Sequence, residues 1–422
     1  MTASRALAVA IFSLLPFTTH AGALYFPEMS SASEAGYGGA GMVARANDAG
    51  TVFSNPAGMT RFNDAEIMAG GIGVFIDADF ETFPDNTAPG RSDKIDHRVV
   101  PAGSFAYLKP LSDKLSIGVS AHNYMGLALN WDDGWVGRYN AVEVALLFPQ
   151  VQPTVAYKLT DWLSVGAGAA LTMGYLKDKL RVESIPPGDR DGKLRLSDTD
   201  FAVQGNFGVM IEPSERTRIG IRYLTETDID FEDSPDISGV SLPDFNPGIG
   251  LTDPAEGLDL GVTMPQQLHG AIHHQWNDKL ALLGSVGWEE FSEFGKIQVG
   301  VDAINGGIST TVDADFRDVW HFGIGTEYQL NPKWLLTAGF SRDTSMSTDR
   351  TRPIVIPLGT MRRYAIGFKN ERRENLTLGG GLTFIWEGNL PVKDASGASG
   401  TTVSGRYKNA SIWVASFYAR WH

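Results

Sequence analysis

The chain has 422 residues, a formal net charge of −14 and no cysteine. Its length is compatible with two soluble domains or with one large barrel. The acidic balance argues against a nucleic-acid partner, because phosphate contacts require a basic face, and the lack of cysteine means that no disulfide can be expected.

The N-terminus is typical of a secretory signal peptide, which we place at residues 1–21. Arg5 supplies a positive charge, an apolar run follows over residues 6–17, and small residues lead to Ala21, after which we expect cleavage. The apolar run is too short to span a bilayer, and no later stretch reaches ~18 uninterrupted apolar residues. The pattern therefore predicts an exported protein without a membrane helix.

Residues 22–64 are rich in Gly, Ala and Ser with little alternation, which favours a compact irregular or short-helical segment. From residue 65 onward, apolar side chains alternate with small or polar ones. Between residues 163 and 175, for example, odd positions are apolar and even positions are small. Such a block predicts a strand with one apolar face. We count fourteen blocks, at residues 65–81, 97–109, 114–130, 148–159, 162–184, 194–212, 215–232, 257–276, 279–292, 309–330, 333–345, 360–370, 374–388 and 403–421.

The gaps between these blocks alternate in length. Six are short turns with turn-forming or charged residues, and seven are longer. Short periplasmic turns and long outer loops are typical of bacterial outer-membrane barrels, whereas a soluble β-sandwich would have loops of similar length at both ends. The fold class we predict is all-β: a 14-stranded antiparallel transmembrane β-barrel over residues 65–422, with an N-terminal hatch over residues 22–64 plugging the lumen.

This prediction places the protein in the Gram-negative outer membrane, among membrane lipid and lipopolysaccharide. The last block contains Trp413, Phe417 and Trp421, and an aromatic final strand suits recognition by the barrel-assembly machinery. A barrel of ~14 strands is wide enough to leak unless its lumen is filled. We therefore interpret residues 22–64 as the filling, with a disordered periplasmic tail as the alternative.

The run from Ala49 to Met59, which contains Asn55, Pro56 and Ala57, closely resembles the hatch of the FadL-type outer-membrane transporters of long-chain fatty acids and other hydrophobic compounds (OmpP1/FadL/TodX-like). Residues 122–128 are similar to the third strand of this family, and residues 152–159 and 162–166 to its fourth and fifth. Further matches are Met264-Pro265 at strand eight, and Ile356-Pro357 with residues 362–364 before strand twelve.

The resemblance implies passive uptake without a cofactor or energy source. Outer loops collect a long-chain fatty acid, a greasy pocket in the barrel binds it, the hatch shifts, and the ligand leaves sideways into the membrane where the third strand is kinked. Asn55, Pro56 and Ala57 would be the hatch motif, and the candidates for the lateral opening are Tyr124, Met125 and Gly126. Family members generally work as monomers.

The outer loops depart from the family pattern. The loop near residues 185–193 is much shorter than in the best-known members, which keeps uptake of aromatic hydrocarbons or other small hydrophobic compounds open as an alternative. The second and fourth loops are unusually apolar for exposed loops. We therefore predict that they collect the ligand, through Trp131, Trp135, Leu146, Leu147, Phe148 and Phe245.

Other patterns favour neither an enzyme nor a metal site. A lipase-type enzyme is less favoured because no Gly-x-Ser-x-Gly turn is present. A general porin is less favoured because the side chains expected to face the lumen are mostly small rather than charged. His269 and His273 share a strand face but would lie ~13 Å apart, too far for one ion. Four arginines could offer charge to a carboxylate, and the sequence does not decide between Arg222, Arg342, Arg362 and Arg363.

Overall fold

The computed structural model describes residues 24–96, 99–183, 191–233, 236–239, 258–301, 308–396 and 401–422. The expected signal peptide, residues 1–21, and Phe245 lie outside these ranges. Fourteen strands form the main sheet: β1 Glu66–Thr82, β2 Val99–Pro110, β3 Leu115–Asn130, β4 Glu143–Thr160, β5 Leu163–Val182, β6 Gly192–Ser214, β7 Thr217–Leu224, β8 Gln267–Asn277, β9 Leu280–Glu289, β10 Val319–Asn331, β11 Trp334–Asp343, β12 Met361–Arg373, β13 Leu376–Ser396 and β14 Thr402–Trp421.

These strands pair antiparallel with their neighbours in the chain, and the ring closes between the first and the last. Ile67 of β1 lies opposite Trp421 of β14, and β7 joins β6 to β8. Each of the fourteen strands therefore pairs, over at least part of its length, with a strand on both sides, as a strand structure in lipid requires. The predicted 14-stranded antiparallel barrel is confirmed.

Alternation along each strand separates an outer apolar face from an inner one. On β10, Trp320, Phe322 and Ile324 are exposed, whereas His321 between them is buried in the lumen. The exposed row faces the membrane, and the inner row carries the small and polar side chains that receive other parts of the chain. Among the described residues, no helix is long and apolar enough to cross a membrane.

Three of the predicted strands are divided in the structure, and their outer parts are Thr227–Asp233, Leu258–Met264 and Ile308–Asp313. Together with Lys296–Val301, which lies where a loop was predicted, these parts form a separate four-stranded sheet above the barrel. Pro265 separates Leu258–Met264 from β8, since proline cannot donate to a ladder. The short strands Asp93–Lys94 and Asp236–Ser238 extend the main sheet at β1 and β6, and the helix α4, Phe291–Phe294, precedes Lys296–Val301.

The fourth strand begins at Glu143, five residues before the predicted start at Phe148. The assignment of Leu146, Leu147 and Phe148 to a ligand-collecting loop was therefore wrong in its placement, because all three lie within the strand. These residues pair with Leu127, Gly126 and Met125 of β3. An apolar run lacks the alternation that marks a strand with one wet face, which is why the pattern suggested a loop there.

Residues 24–64, here called the N-terminal segment, lie inside the barrel. The segment consists of short helices, α1 Pro27–Ser30, α2 Met42–Arg45 and α3 Thr51–Ser54, and of the 3-10 turns Glu34–Gly36 and Pro56–Arg61. Residues 24–59 are buried apart from the half-buried Asn47. The lumen is therefore filled, as the sequence predicted.

Candidate ligand pathway

One side of the N-terminal segment is held through its backbone. Four hydroxyl groups on neighbouring barrel strands donate hydrogen bonds to its carbonyl oxygens. These bonds join Ser416 to Ala32 (2.6 Å), Thr383 to Ala35 (2.8 Å), Thr337 to Gly36 (2.7 Å) and Ser341 to Gly38 (2.7 Å). Since buried carbonyl groups need partners, the inward hydroxyl groups of β11, β13 and β14 stabilise the segment in the lumen.

The hatch motif is anchored on the opposite side by Asn55. Its side-chain oxygen accepts a hydrogen bond from the backbone N–H of Ala57 (3.1 Å) and so caps the following 3-10 turn. Its amide nitrogen donates to the carbonyl oxygens of Val43 (2.7 Å) and of Val209 on β6 (3.0 Å). A Cβ atom at Gly208 would lie 2.1 Å from the Asn55 side-chain oxygen, so the wall needs glycine at this contact.

Buried ion pairs also hold the segment. Glu34 pairs with Arg45 inside the segment, and Asp48 pairs with Lys369 of β12 at 3.3 Å. Burial raises the pKa of the Glu34 carboxyl despite the nearby Arg45 charge. Burial also acts to raise the pKa of Asp48, but the charges of Lys369 and Arg45 outweigh it and hold this pKa below its ordinary value.

The seam between β2 and β3 is only half closed by strand pairing. Residues 105–110 pair with residues 116–121, whereas within the described chain residues 99–104 of β2 pair with β1 alone. Beyond that gap the backbone N–H of Asp96 donates to the carbonyl oxygen of Asn130 (2.9 Å). Residues 122–130 of β3 pair with β4 but not with β2, and they contain the predicted opening Tyr124, Met125 and Gly126.

The third strand is irregular at this stretch. Its register with β4 shifts between Asn123 and Met125, which leaves Tyr124 out of the ladder. Such a bulge bends a strand and redirects a side chain. The Tyr124 ring is fully buried, and its hydroxyl group donates to the carbonyl oxygen of Pro265, at the start of β8 (3.3 Å). The kink therefore turns Tyr124 across the lumen.

The N-terminal segment fills the unpaired part of the seam. The backbone N–H of Gly126 donates to the carbonyl oxygen of Leu24 (2.7 Å), and Tyr25 forms an antiparallel bridge with Met125. The Tyr25 and Tyr124 rings have their centroids 5.7 Å apart. The first described residues of the chain thus act as a short extra strand beside the kink.

Apolar cavities adjoin this stretch of β3 on the extracellular side of the segment. Leu129 contributes to two of them, one facing β2 and one facing β14. Their apolar lining includes Ile76, Ile95, Val100, Leu127, Pro357, Leu358 and Ile412. This group of cavities is here called the apolar chamber. The two cavities hold only about 10 and 20 Å³, and Glu387 and Asp96 also reach their lining, so an aliphatic ligand must displace side chains to enter.

An aromatic cluster closes the barrel above the chamber. The Trp131 and Trp135 rings are stacked, with centroids 4.6 Å apart and planes at 5°, and Trp135 meets Phe80 edge-on. The indole N–H of Trp135 donates to the carbonyl oxygen of Ala141 (2.7 Å). Both tryptophans are buried, so the second loop folds over the mouth, and its predicted role in collecting ligand stays a prediction.

The periplasmic side of the N-terminal segment is polar instead. A cavity of about 550 Å³ lies there, with five basic residues, His273 and three acidic residues in its lining. Arg218 in this lining donates to the carbonyl oxygens of Ala44 and Arg45. The two ends of the segment therefore face opposite environments, one aliphatic and one charged.

The sequence did not predict which histidines and arginines face the interior of the barrel or which residues they contact. His269 and His273 pair with Glu289 (3.2 Å) and Glu327 (3.1 Å), and no group of three His, Asp or Glu in the described chain is arranged to hold a metal. Of the four candidate arginines, Arg222 and Arg363 are fully buried, whereas Arg342 is exposed. Strand parity could have shown this, because Ile221 and Tyr223 flank Arg222 and face outward.

A closed barrel with lipid-facing aromatic rows and a lumen filled by its own N-terminus defines a plugged outer-membrane transport protein. Over residues 12–421 the sequence matches the family described as outer membrane protein transport protein (OMPP1/FadL/TodX). The chain belongs to this family, whose members are transporters of the Gram-negative outer membrane. The predicted membership of this family is thereby confirmed.

Two relatives and two solved structures show how far the similarity extends. Outer membrane protein P1 of Haemophilus influenzae is 25% identical over 409 residues, which cover 87% of this chain and 86% of the relative. The long-chain fatty acid transport protein of Escherichia coli K12 is 24% identical over 389 residues (83% and 84%). The fold is similar to that of a Pseudomonas aeruginosa FadL homologue (TM-score 0.82, 18% identity, 94% and 99% covered). It is also similar to that of the Pseudomonas putida toluene transporter TodX (TM-score 0.68, 17% identity, 95% and 99% covered).

Proposed function

We propose that this transporter takes up long-chain fatty acids passively. The ligand enters the apolar chamber, residues 22–64 move as a hatch, and the ligand leaves through the seam between β2 and β3 into the membrane. The observation that carries this proposal is the seam itself. In the described residues its outer half has no ladder between the two strands, and Leu24 and Tyr25 fill it, so a small displacement of the N-terminal segment would open the wall sideways.

Solvation favours this exit over a route through the lumen. An aliphatic tail gains ~0.8 kcal/mol for each methylene group that leaves water. The polar cavity on the periplasmic side would return the tail to charged side chains and water. The seam instead leads from the apolar chamber directly to the lipid, so the tail stays in apolar surroundings throughout.

The proposed roles of the parts follow from their contacts. Residues 1–21 are the signal peptide, residues 22–64 the hatch and residues 65–422 the barrel. Asn55, with Pro56 and Ala57, is the pivot, because its side chain joins the last turns of the hatch to Val209 in the wall. Tyr124, Met125 and Gly126 form the lateral opening.

The cellular setting is part of the same proposal. The barrel-assembly machinery inserts the protein, which works as a monomer among lipid and lipopolysaccharide. Transport needs no cofactor and involves no catalytic step. Trp131 and Trp135, together with the neighbouring Leu146, Leu147 and Phe148 of β4, collect the ligand at the mouth.

Uptake of aromatic hydrocarbons is the second candidate. The stacked tryptophans at the mouth are buried, but they would offer ring faces to an aromatic ligand when the second loop moves, and one similar fold is that of a toluene transporter. A deletion strain separates the two candidates by its growth on oleate and its uptake of toluene. We expect the loss of growth on oleate, restored by the wild-type gene. Growth on oleate that is unchanged by the deletion, together with lost toluene uptake, would show that the aromatic alternative is correct.

A further inference from the structure

Arg222 of β7 is a fully buried cation without a carboxylate partner. Its side chain is 0% exposed, and no Asp or Glu oxygen of the described residues lies within the 4.0 Å of an ion pair with it. Two other fully or largely buried cations differ, since Arg363 pairs with Asp343 and Glu28, and Lys369 pairs with Asp48. A buried charge is costly unless it is paired, so the surroundings of Arg222 favour an anion.

The present partners of Arg222 are all uncharged. Its Nη2 donates to the hydroxyl group of Tyr25 (3.2 Å) and to the side-chain oxygen of Gln267 (3.1 Å), and the Phe53 ring lies 5.0 Å from the guanidinium carbon. Burial raises the pKa of the Tyr25 hydroxyl to about 12. Tyr25 therefore stays neutral at pH 7 and does not compensate the arginine charge.

Several donors at this place have no acceptor in the described structure. They are Nε and Nη1 of Arg222 and the amide nitrogen of Gln267. A carboxylate binds the guanidinium fork through two neighbouring N–H groups, and each usable pair combines Nη2 with either Nε or Nη1. The second donor of each pair is thus free, whereas Nη2 is occupied by Tyr25 and Gln267.

Tyr25 connects this cation to the lateral opening. The same residue bonds Arg222 through its hydroxyl group and bridges Met125 through its backbone. From the neighbouring Tyr124, the inner face of β3 runs about 16 Å, at 3.3 Å per residue, to Leu129 in the apolar chamber. A headgroup at Arg222 with its tail along β3 would therefore end in that chamber.

We propose that Arg222 binds the carboxylate of a long-chain monocarboxylate ligand and that Tyr25 occupies this place in the empty transporter. The ligand carboxylate replaces the Tyr25 hydroxyl on Nη2 and takes one of the free N–H groups as its second donor. Loss of this bond frees the Tyr25 hydroxyl group from β7 and leaves the backbone contacts of Leu24 and Tyr25 with β3. Headgroup binding thereby weakens the closure of the seam. This inference rests on the proposed uptake of fatty acids and makes the site selective for acids over neutral compounds.

Binding of radiolabelled oleate and oleyl alcohol to the purified full-length protein tests the proposal. The two ligands share a tail and differ in the charge of the headgroup. We expect Arg222→Gln to weaken oleate binding at least about tenfold, as the loss of a charge-assisted pair implies, with oleyl alcohol binding unchanged. Arg342→Gln, on the exposed side of β11, is the matched control and should change neither. The ratio of oleate to alcohol affinity is the readout that a merely structural role for Arg222 would not alter.

Two further variants keep the test decisive if Arg222→Gln does not assemble. Arg222→Lys retains the charge but lacks the fork, so it should bind oleate with intermediate affinity. Tyr25→Phe removes the competing hydroxyl and should tighten oleate binding severalfold while leaving oleyl alcohol unaffected. Oleate binding that is the same in wild type, in Tyr25→Phe and in the assembled Arg222 variants would overturn the inference alone. A wild-type protein that binds no oleate would contradict the proposed substrate as well.

Discussion

The carbonyl oxygen of Leu24 lies 2.7 Å from the backbone nitrogen of Gly126, so the barrel wall is continued at the kink of β3 by the protein's own N-terminus. Where neighbouring strands pair directly, they satisfy each other's backbone groups, which makes a lateral path through them costly. At the kink a segment that is not part of the wall provides the hydrogen bond. Opening of the wall at this place breaks the hydrogen bond between Leu24 and Gly126 and a few side-chain contacts, whereas the hydrogen bonds between the other strands are kept.

A bulky residue at Gly126 should close this path. A Cβ atom there would lie 2.9 Å from the end of the Leu147 side chain, so Gly126→Phe must fill the opening or displace its neighbours. We expect Gly126→Phe to block oleate uptake while the barrel still assembles, as judged by heat-modifiable migration in gels. Gly71→Phe is the control, because nothing lies within 4 Å of a Cβ atom at that position. Normal uptake by Gly126→Phe would remove the opening from this stretch.

Hatch movement can be tested by a reversible cross-link between Ala32 and Ser104. The Ala32 nitrogen donates to the Ser104 hydroxyl at 3.0 Å, so the two Cα atoms are within about 7 Å, near the reach of a disulfide. The native chain has no cysteine, which gives a clean background. We expect the oxidised double cysteine variant to lose uptake and to recover it after reduction.

The single variants Ala32→Cys and Ser104→Cys are the controls for the cross-link and should transport normally under both conditions. Full uptake by the oxidised pair would mean that this part of the segment stays in place during transport.

Asn55→Asp separates the two functions of the hatch motif. A carboxylate still accepts the hydrogen bond from the Ala57 N–H, but it cannot donate to the carbonyl oxygens of Val43 and Val209. Each buried carbonyl left without a donor costs about 1–3 kcal/mol. We expect a higher ion conductance in planar bilayers because the segment leaves its seat more often. Asn206→Asp also loses two bonds of a buried amide, to the Phe53 carbonyl oxygen and to the Gln152 side chain, but it leaves both bonds of Asn55 intact and should have a smaller effect. Equal conductance in Asn55→Asp and wild type would contradict the pivot role.

The Asp48–Lys369 ion pair predicts a dependence on pH. A carboxyl whose pKa is lowered by folding stabilises the folded state above its ordinary pKa, and this contribution is lost as the pH falls through the folded value. We therefore expect Asp48→Asn to raise the conductance at pH 7. The difference from wild type should shrink once the pH drops below 3.8, the ordinary pKa of this carboxyl.

Asp161→Asn, in an exposed turn between β4 and β5, is the matched control for that measurement. It should follow the wild-type conductance at every pH. A constant difference between Asp48→Asn and wild type down to strongly acidic pH would show that the charge of Asp48 is not what holds the segment.

The barrel could be predicted from the sequence because alternation is a local signal. The prediction of strand boundaries failed where alternation is absent. Leu146, Leu147 and Phe148 are consecutive apolar residues within one strand, and a break at Pro265 divides what looked like a single strand. The alternation of inward and outward positions along β7 could have predicted that Arg222 faces the lumen. Its lack of a counter-ion and its bond to Tyr25 could not have been foreseen, because they depend on residues 197 positions apart in the chain.

The contacts of Thr337, Ser341, Thr383 and Ser416 have an evolutionary consequence. All four bind main-chain oxygens, which every amino acid supplies, so most replacements within residues 32–38 leave these bonds intact. Two glycines set limits: at Gly36 a Cβ atom would lie 2.9 Å from the Thr337 hydroxyl, and Gly38 has a φ of +58°, which favours glycine. The plug can therefore diverge in composition, and with it the surface it presents to a ligand, while four hydroxyl groups of the surrounding cylinder preserve its placement.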